Sequence, residues 1–272
     1  VLVGTAVADV SGGARFAPAL AALLGAFLIQ IATNLANDLF DHEKGADTEE
    51  RLGPTRAVAA GLLTKSQVRA GLQVTIAAAV ATGVYLAYVG GPAIVVIGVL
   101  SILSGLAYTG GPFPLGYHGL GDVFVMVFFG LVAVCGTVFV QTHTVPALAL
   151  LASVPVGAIA TAILVVNNVR DLETDRKANK RTLVARFGAR FGVGEYLALL
   201  ALAYTTPLVV FAMFPRSTLS LLPLASAPVA LRLARDVART EGRALNGCLV
   251  RTAKLLLIFG VLFSAGILGM AH

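Results

Sequence analysis

Apolar stretches long enough to cross a bilayer recur along this chain. A transmembrane helix needs about 20 predominantly apolar residues. Runs of that order occupy residues 17–39, 66–89, 91–109, 120–141, 145–169, 194–214, 217–233 and 249–270. The opening VLVGTAVADV reads as the second half of one more. Hydrocarbon offers the backbone no hydrogen-bond partner, so such runs must pair their own amides as helices. Composition agrees: 57% of the 272 residues are hydrophobic and 12% are charged, where a soluble domain carries about 25% charged residues. The expected fold is all-α: a single polytopic membrane domain over residues 1–272 with nine transmembrane helices, the first truncated. The chain opens on Val1 rather than Met, and residues are expected upstream of it.

Charge placement orients the spans. All but two of the 20 Lys and Arg fall in three segments, 44–69, 170–190 and 232–254; Arg15 and Arg216 are the exceptions. With nine spans these segments share one face. The excess of Lys and Arg on cytoplasmic loops makes that face cytoplasmic. The net charge of +6 is therefore a topology signal, and no basic-aromatic platform for nucleic acid is present. Cys135 and Cys248 lie in apolar runs and read as packing residues. The four histidines lack the spacing of a zinc site.

The first long run ends on NLANDLFDHEKGAD, Asn34 to Asp47. On a helix, Asn34, Asn37, Asp38 and Asp41 share one face. A second run ends on NNVRDLETD, where Asn167, Asp171 and Asp175 repeat the spacing of four. Polar faces of this kind are costly in lipid and should line a cavity. Both lie at the same membrane face. Hard oxygen donors one helical turn apart suit Mg²⁺, which favours carboxylates together with substrate phosphates. Asn37, Asp38, Asp41, Asp171 and Asp175 are the candidate metal ligands. Arg56, Lys180 and Arg181 are placed to neutralise a diphosphate, with Asn37 and Asn167 beside them. A transporter is the competing class, but its polar residues tend toward the midplane rather than the rim.

These stretches, NDLFDHEKGAD and NNVRDLETDRKANKRTLVARFG, resemble the two Asp-rich motifs of the UbiA-type intramembrane aromatic prenyltransferases. RLGPTRAVAAGLLT after the first motif, and AYTGGPFPLGYHGLGD in the middle of the chain, resemble the branch that prenylates 1,4-dihydroxy-2-naphthoate in menaquinone synthesis. One position departs from the family pattern: Gly45 stands where a third acidic residue is usual, with Asp38 and Asp47 nearby.

The resemblance implies helices around a central cavity, a prenyl tail held in an apolar tunnel open to membrane lipid, and a diphosphate at the cytoplasmic mouth. It implies Mg²⁺ as cofactor, a polyprenyl diphosphate donor and an aromatic acceptor, 1,4-dihydroxy-2-naphthoate, giving demethylmenaquinone with loss of CO₂. The expected setting is the bacterial inner membrane. Asp38, Asp41, Asp171 and Asp175 would be catalytic. Tyr108 would shield an allylic cation or bond the diphosphate, and Asp122 or Asp47 would serve as base or orient the acceptor. Tyr117 and His118 read more simply as loop residues. EERLGPTRA and KANKRT are candidate lids. Related enzymes act on 4-hydroxybenzoate or homogentisate, which are the alternative acceptors; a non-catalytic transporter is the alternative class.

Overall fold

The computed structural model describes residues 1–45, 51–214 and 218–270, and among these every regular element is helical. Helix α1 is Leu2–Val10, α2 Phe16–Glu43, α3 Lys65–Gly90 and α4 Pro92–Ala107. Helix α5, Gly121–Val125, runs through a π-helical turn, Met126–Val132, into α6, Ala133–Thr142. Helix α7, Ala147–Arg170, is followed by the short α8, Leu172–Lys177, and α9, Leu183–Phe187. Helix α10 is Ala189–Met213; a 3₁₀ segment, Thr218–Ser226, leads into α11, Ala227–Arg239, and α12 is Leu245–Leu268.

Among the described residues, six stretches are long and apolar enough to cross a membrane: Phe16–Glu43, Lys65–Gly90, Gly121–Thr142, Ala147–Arg170, Ala189–Met213 and Gly242–Leu268. The protein is an all-helical integral membrane protein. Two of the apolar runs fold otherwise than as one full-length helix. Residues 91–109 give only the 16-residue α4, after which the chain turns through Gly111 at φ +76°. Of the run 217–233, the described residues from Thr218 on are split, 3₁₀ first and α-helix after. Pro223 and Pro228 each lack an amide hydrogen, so an unbroken α-ladder cannot run through this stretch. Helix α11 buries Ala230, Leu233, Ala234 and Val237 and exposes Arg232, Arg235 and Arg239.

Local signals set the helix ends. Thr64 and Gln67 form a reciprocal capping box at the start of α3. Gly91, at φ +79°, ends α3, and Pro92 at the first helical position begins α4.

Helix α7 is the centre of the main core. Its apolar window is 67% buried, against 11% for α3, so α7 is enclosed by protein while α3 faces largely outward. The core packs α1, α6, α7, α10, α11 and α12 around Ile159, Tyr196, Phe259 and Phe263. Where α7 meets the π-turn, backbones touch: a Cβ on Gly130 would lie 2.9 Å from the Gly157 Cα. Close backbone approach at small residues is how helices gain packing contact in lipid. Helices α2, α3 and α4 form a smaller group around Ala32, Ala36 and Leu72. A cavity of about 560 Å³ separates that group from α5, α6 and α7.

Candidate active site

Asn37 and Asp41 stand on the last turns of α2; Asp171 joins the end of α7 to α8, and Asp175 stands on α8. The fold brings these two helix ends together at one mouth of the cavity. Asp41, buried at 4% exposure, is the hub. It accepts a hydrogen bond from Arg56 Nη2 at 3.1 Å and from the Tyr117 hydroxyl at 2.9 Å, and Lys180 Nζ lies 3.5 Å away. These three partners come from three different loops.

Tyr117 is more than a turn residue. Lys44 and Lys180 each sit 4.8 Å from its ring centroid, within reach of the ring's negative face. Its carbonyl accepts from the Arg181 amide at 2.8 Å. Arg186 ties the same loops by donating to the Arg181 carbonyl at 3.0 Å and the His118 carbonyl at 2.9 Å. Gly119, at φ +77°, adopts a conformation that favours glycine, and a Cβ there would lie 2.8 Å from the Arg181 carbonyl oxygen. Arg181 itself is exposed and joins the site through its backbone. Lys180 brings its side chain.

Asp38 has a different environment. Its carboxylate accepts from the amides of Ala57 and Val58 at 3.0 and 3.4 Å. It anchors the loop that presents Arg56. Asn37 accepts from the Thr109 hydroxyl at 2.6 Å, and the Thr109 carbonyl accepts from Lys44. Asp47 lies outside the described residues.

On the second helix end, Asp171 is gripped by Arg170 in a forked pair, Nε to Oδ1 at 2.8 Å and Nη2 to Oδ2 at 2.5 Å. Asp175 is buried, and no described residue hydrogen-bonds its carboxylate. Burial pushes its pKa up to about 7; Lys180 opposes the rise, and the nearby carboxylates of Asp171 and Asp41 add to it.

Tyr108 lines the cavity rim with Asn37 and Asn167. Its ring packs on Gly116, and its hydroxyl sits 2.8 Å from where a Cβ on Gly121 would lie. Asp122 is buried beside it in the first turn of α5, with Oδ1 lacking a partner among the described residues. Asp122 does not line the cavity; it follows Gly121, against which the Tyr108 hydroxyl sits.

These donors fit Mg²⁺. Among the described residues no three acidic or imidazole groups gather into a closed metal cage. Mg²⁺ does not ask for one: it binds through one or two carboxylates, waters and substrate phosphates. Buried Asp175, whose carboxylate no described residue hydrogen-bonds, lies near Asp41 and Asp171 and offers that kind of donor set.

The UbiA prenyltransferase family matches residues 1–258. The chain belongs to that family. It is a prenyltransferase by membership. The 1,4-dihydroxy-2-naphthoate octaprenyltransferase of Escherichia coli (strain K12) is 38% identical to it over 98% of this chain and 89% of the relative. The protein of that same name from Mycobacterium tuberculosis is 36% identical over 89% of this chain and 82% of the relative. The apo structure of a UbiA homolog from Aeropyrum pernix K1 superposes with a TM-score of 0.74 at 16% identity, covering 96% of this chain and 94% of the other. A UbiA homolog from Archaeoglobus fulgidus, solved bound to DMAPP and Mg²⁺, has a TM-score of 0.66 at 16% identity over 97% and 94%. At that identity both likenesses speak for the fold.

Of the residues that the sequence pattern groups, Arg56 and Lys180 lie on Asp41, Asp175 is buried near Asp41 and Asp171, and Asn37 lines the cavity with Asn167 and Tyr108. Sequence reasoning did not find Arg170, whose position inside NNVRD read as one more basic loop residue. It did not assign Lys44, Thr109 or Tyr117 to the site, because their roles depend on contacts between loops far apart in sequence.

Proposed function

We propose that this protein transfers a polyprenyl group from polyprenyl diphosphate to 1,4-dihydroxy-2-naphthoate, releasing diphosphate and the acceptor's carboxylate as CO₂. The convergence of two acidic helix ends over an apolar, membrane-embedded cavity carries this proposal. A prenyl diphosphate has the matching two-part character, a long apolar tail and a polyanionic head. The acceptor follows from relatives of that name at 35–38% identity.

Asn37, Asp41, Asp171 and Asp175 would hold Mg²⁺ at the mouth. When bound, that ion supplies charge that stabilises diphosphate as a leaving group. Asp38 serves the site by fixing the Arg56 loop. Arg56 and Lys180, held by Asp41 before substrate arrives, exchange that carboxylate for diphosphate oxygens. Tyr117 keeps Asp41 and Lys180 in register during the exchange. Tyr108 presents its ring at the cavity rim, where positive charge develops on the allylic carbon. Asp122 polarises the Tyr108 hydroxyl from behind rather than touching the acceptor.

In the reaction the allylic C–O bond breaks with its electrons leaving on diphosphate. A C–C bond forms at the acceptor carbon bearing the carboxylate. The electrons of the C–CO₂ bond return to the ring, so the acceptor loses CO₂ and gains the prenyl group. The basic segments at 44–69, 170–190 and 232–254 support a mouth that opens to the cytoplasmic side of the bacterial inner membrane.

The test uses purified protein in nanodiscs, given 1,4-dihydroxy-2-naphthoate and octaprenyl diphosphate with Mg²⁺ or EDTA. Mass spectrometry is expected to find a prenylated, decarboxylated product only with Mg²⁺, and none with Asp171→Ala. Turnover of 4-hydroxybenzoate or homogentisate in its place would move the acceptor. Tight diphosphate binding without turnover of any acceptor would overturn the enzyme reading.

A further inference from the structure

We propose that Asn246, in the first turn of α12, is a positioning residue that couples the second acidic helix end to the loop carrying Arg56. It rests on the reading above, in which Asp171 and Arg56 serve the Mg²⁺–diphosphate head group. Arg170, buried to 3% side-chain exposure, spends two of its nitrogens on the Asp171 carboxylate. Its remaining terminal nitrogen, Nη1, donates to Asn246 Oδ1 at 2.7 Å. Asn246 Nδ2 in turn donates to the Leu52 carbonyl at 2.9 Å.

An amide side chain presents an acceptor oxygen and a donor nitrogen on one carbon, so it can bridge a guanidinium to a carbonyl through two separate atoms. The guanidinium has no acceptor, which fixes the amide's orientation. The loop itself passes against Arg170: a Cβ on Gly53 would lie 2.8 Å from Nη2. From Leu52 the chain continues to Arg56, which bonds Asp41 at 3.1 Å. Arg243 reinforces the tether by donating to the Arg51 carbonyl at 3.4 Å. One continuous path thus joins Asp171, Arg170, Asn246, the 51–56 loop and Asp41.

The fork also determines how Asp171 meets its ligand. A carboxylate has about four acceptor sites on two oxygens. Arg170 takes one on each, which leaves the outward ones for the mouth. Without Asn246, Arg170 can swing and take Asp171 with it, while the Arg56 loop loses its anchor. Binding of the head group should suffer more than the chemical step.

The experiment compares wild type with Asn246→Leu and Asn246→Gln in nanodiscs, with two readouts. Kinetics measure KM for octaprenyl diphosphate, the Mg²⁺ concentration for half-maximal rate, and kcat. Trypsin cleavage after Arg51 and Arg56, followed by mass spectrometry, reports the loop without requiring turnover. Asn246→Leu is expected to raise KM and the Mg²⁺ requirement at least tenfold with kcat within threefold, and to speed loop cleavage severalfold. Asn246→Gln, which keeps both hydrogen-bonding functions, should recover part of each. Wild-type KM, Mg²⁺ requirement and cleavage in Asn246→Leu would overturn the inference. So would loss confined to kcat and melting temperature with no recovery by Gln, the mark of a packing role. If wild type shows no Mg²⁺-dependent transfer, the functional reading fails, and unchanged cleavage in Asn246→Leu still overturns the tether on its own.

Discussion

Asp38 and Asp41 are one helical turn apart on α2, yet their carboxylates serve different ends. Asp38 holds two backbone amides of the following loop, and Asp41 faces a Tyr, an Arg and a Lys. Deleting them should therefore fail differently. Asp38→Ala strands two amides, at about 1–3 kcal/mol. It should lower the melting temperature and expose Arg56 to trypsin. Asp41→Ala strands the Arg56 and Tyr117 donors and should also lower the melting temperature, but unlike Asp38→Ala it should remove at least about 10²-fold of activity, as loss of a metal-facing group does. Tyr117→Phe removes one hydrogen bond to a charged group, worth about 1.5–3 kcal/mol. Its kcat/KM is expected to fall about 10–100-fold, with the melting temperature lowered by no more than that one bond accounts for. The spacing of Asn37, Asp38 and Asp41 was legible in the sequence because a helix repeats every 3.6 residues. Which oxygen goes to which partner was not. That choice is made by Ala57, Tyr117 and Lys180, which arrive from other loops.

At the scale of the element, the cavity wall is built from glycines with room beside them. A Cβ on Gly136 of α6 meets no atom within 4 Å, and Gly136 lines the cavity. Gly136→Leu is thus tolerated by packing and favoured by helix propensity, by roughly 0.5–1 kcal/mol. The new side chain fills tunnel space. Activity with a long prenyl diphosphate should drop several-fold more than activity with a geranyl donor, measured as the ratio of their kcat/KM values; equal losses would show that the tail does not pass Gly136. The helices themselves were legible as apolar runs, and Pro92 and Gly91 marked the α3–α4 junction. The π-turn at Met126–Val132 was not. Its residues are as apolar as their neighbours, and the distortion accompanies backbone contact between Gly130 and Gly157, which no local pattern announces.

Across the whole molecule, the site exists only where two helix ends from separate halves of the fold meet, and that meeting sets a pH dependence. Asp175 is buried against Asp41 and Asp171, and burial leads the causes that raise its pKa to about 7. The folded state therefore holds a proton that the unfolded chain, titrating near 4, has already lost. Between these values ν_U is smaller than ν_N, so metal-free stability falls as pH rises toward 7 and stays at the lower level above it. Metal binding has the opposite sign. Mg²⁺ takes the ionised carboxylate and must displace that proton, so its affinity rises with pH. The Mg²⁺ concentration for half-maximal activity should fall severalfold, by up to about tenfold per pH unit for one displaced proton, between pH 6 and 7, then level off above about 7.5. In Asp175→Asn the affinity should be weaker and nearly flat over the same range. A wild-type Mg²⁺ requirement independent of pH from 6 to 8 would mean that Asp175 stays out of the metal's coordination. The two acidic helix ends would then meet for the sake of Asp41 and Asp171 alone.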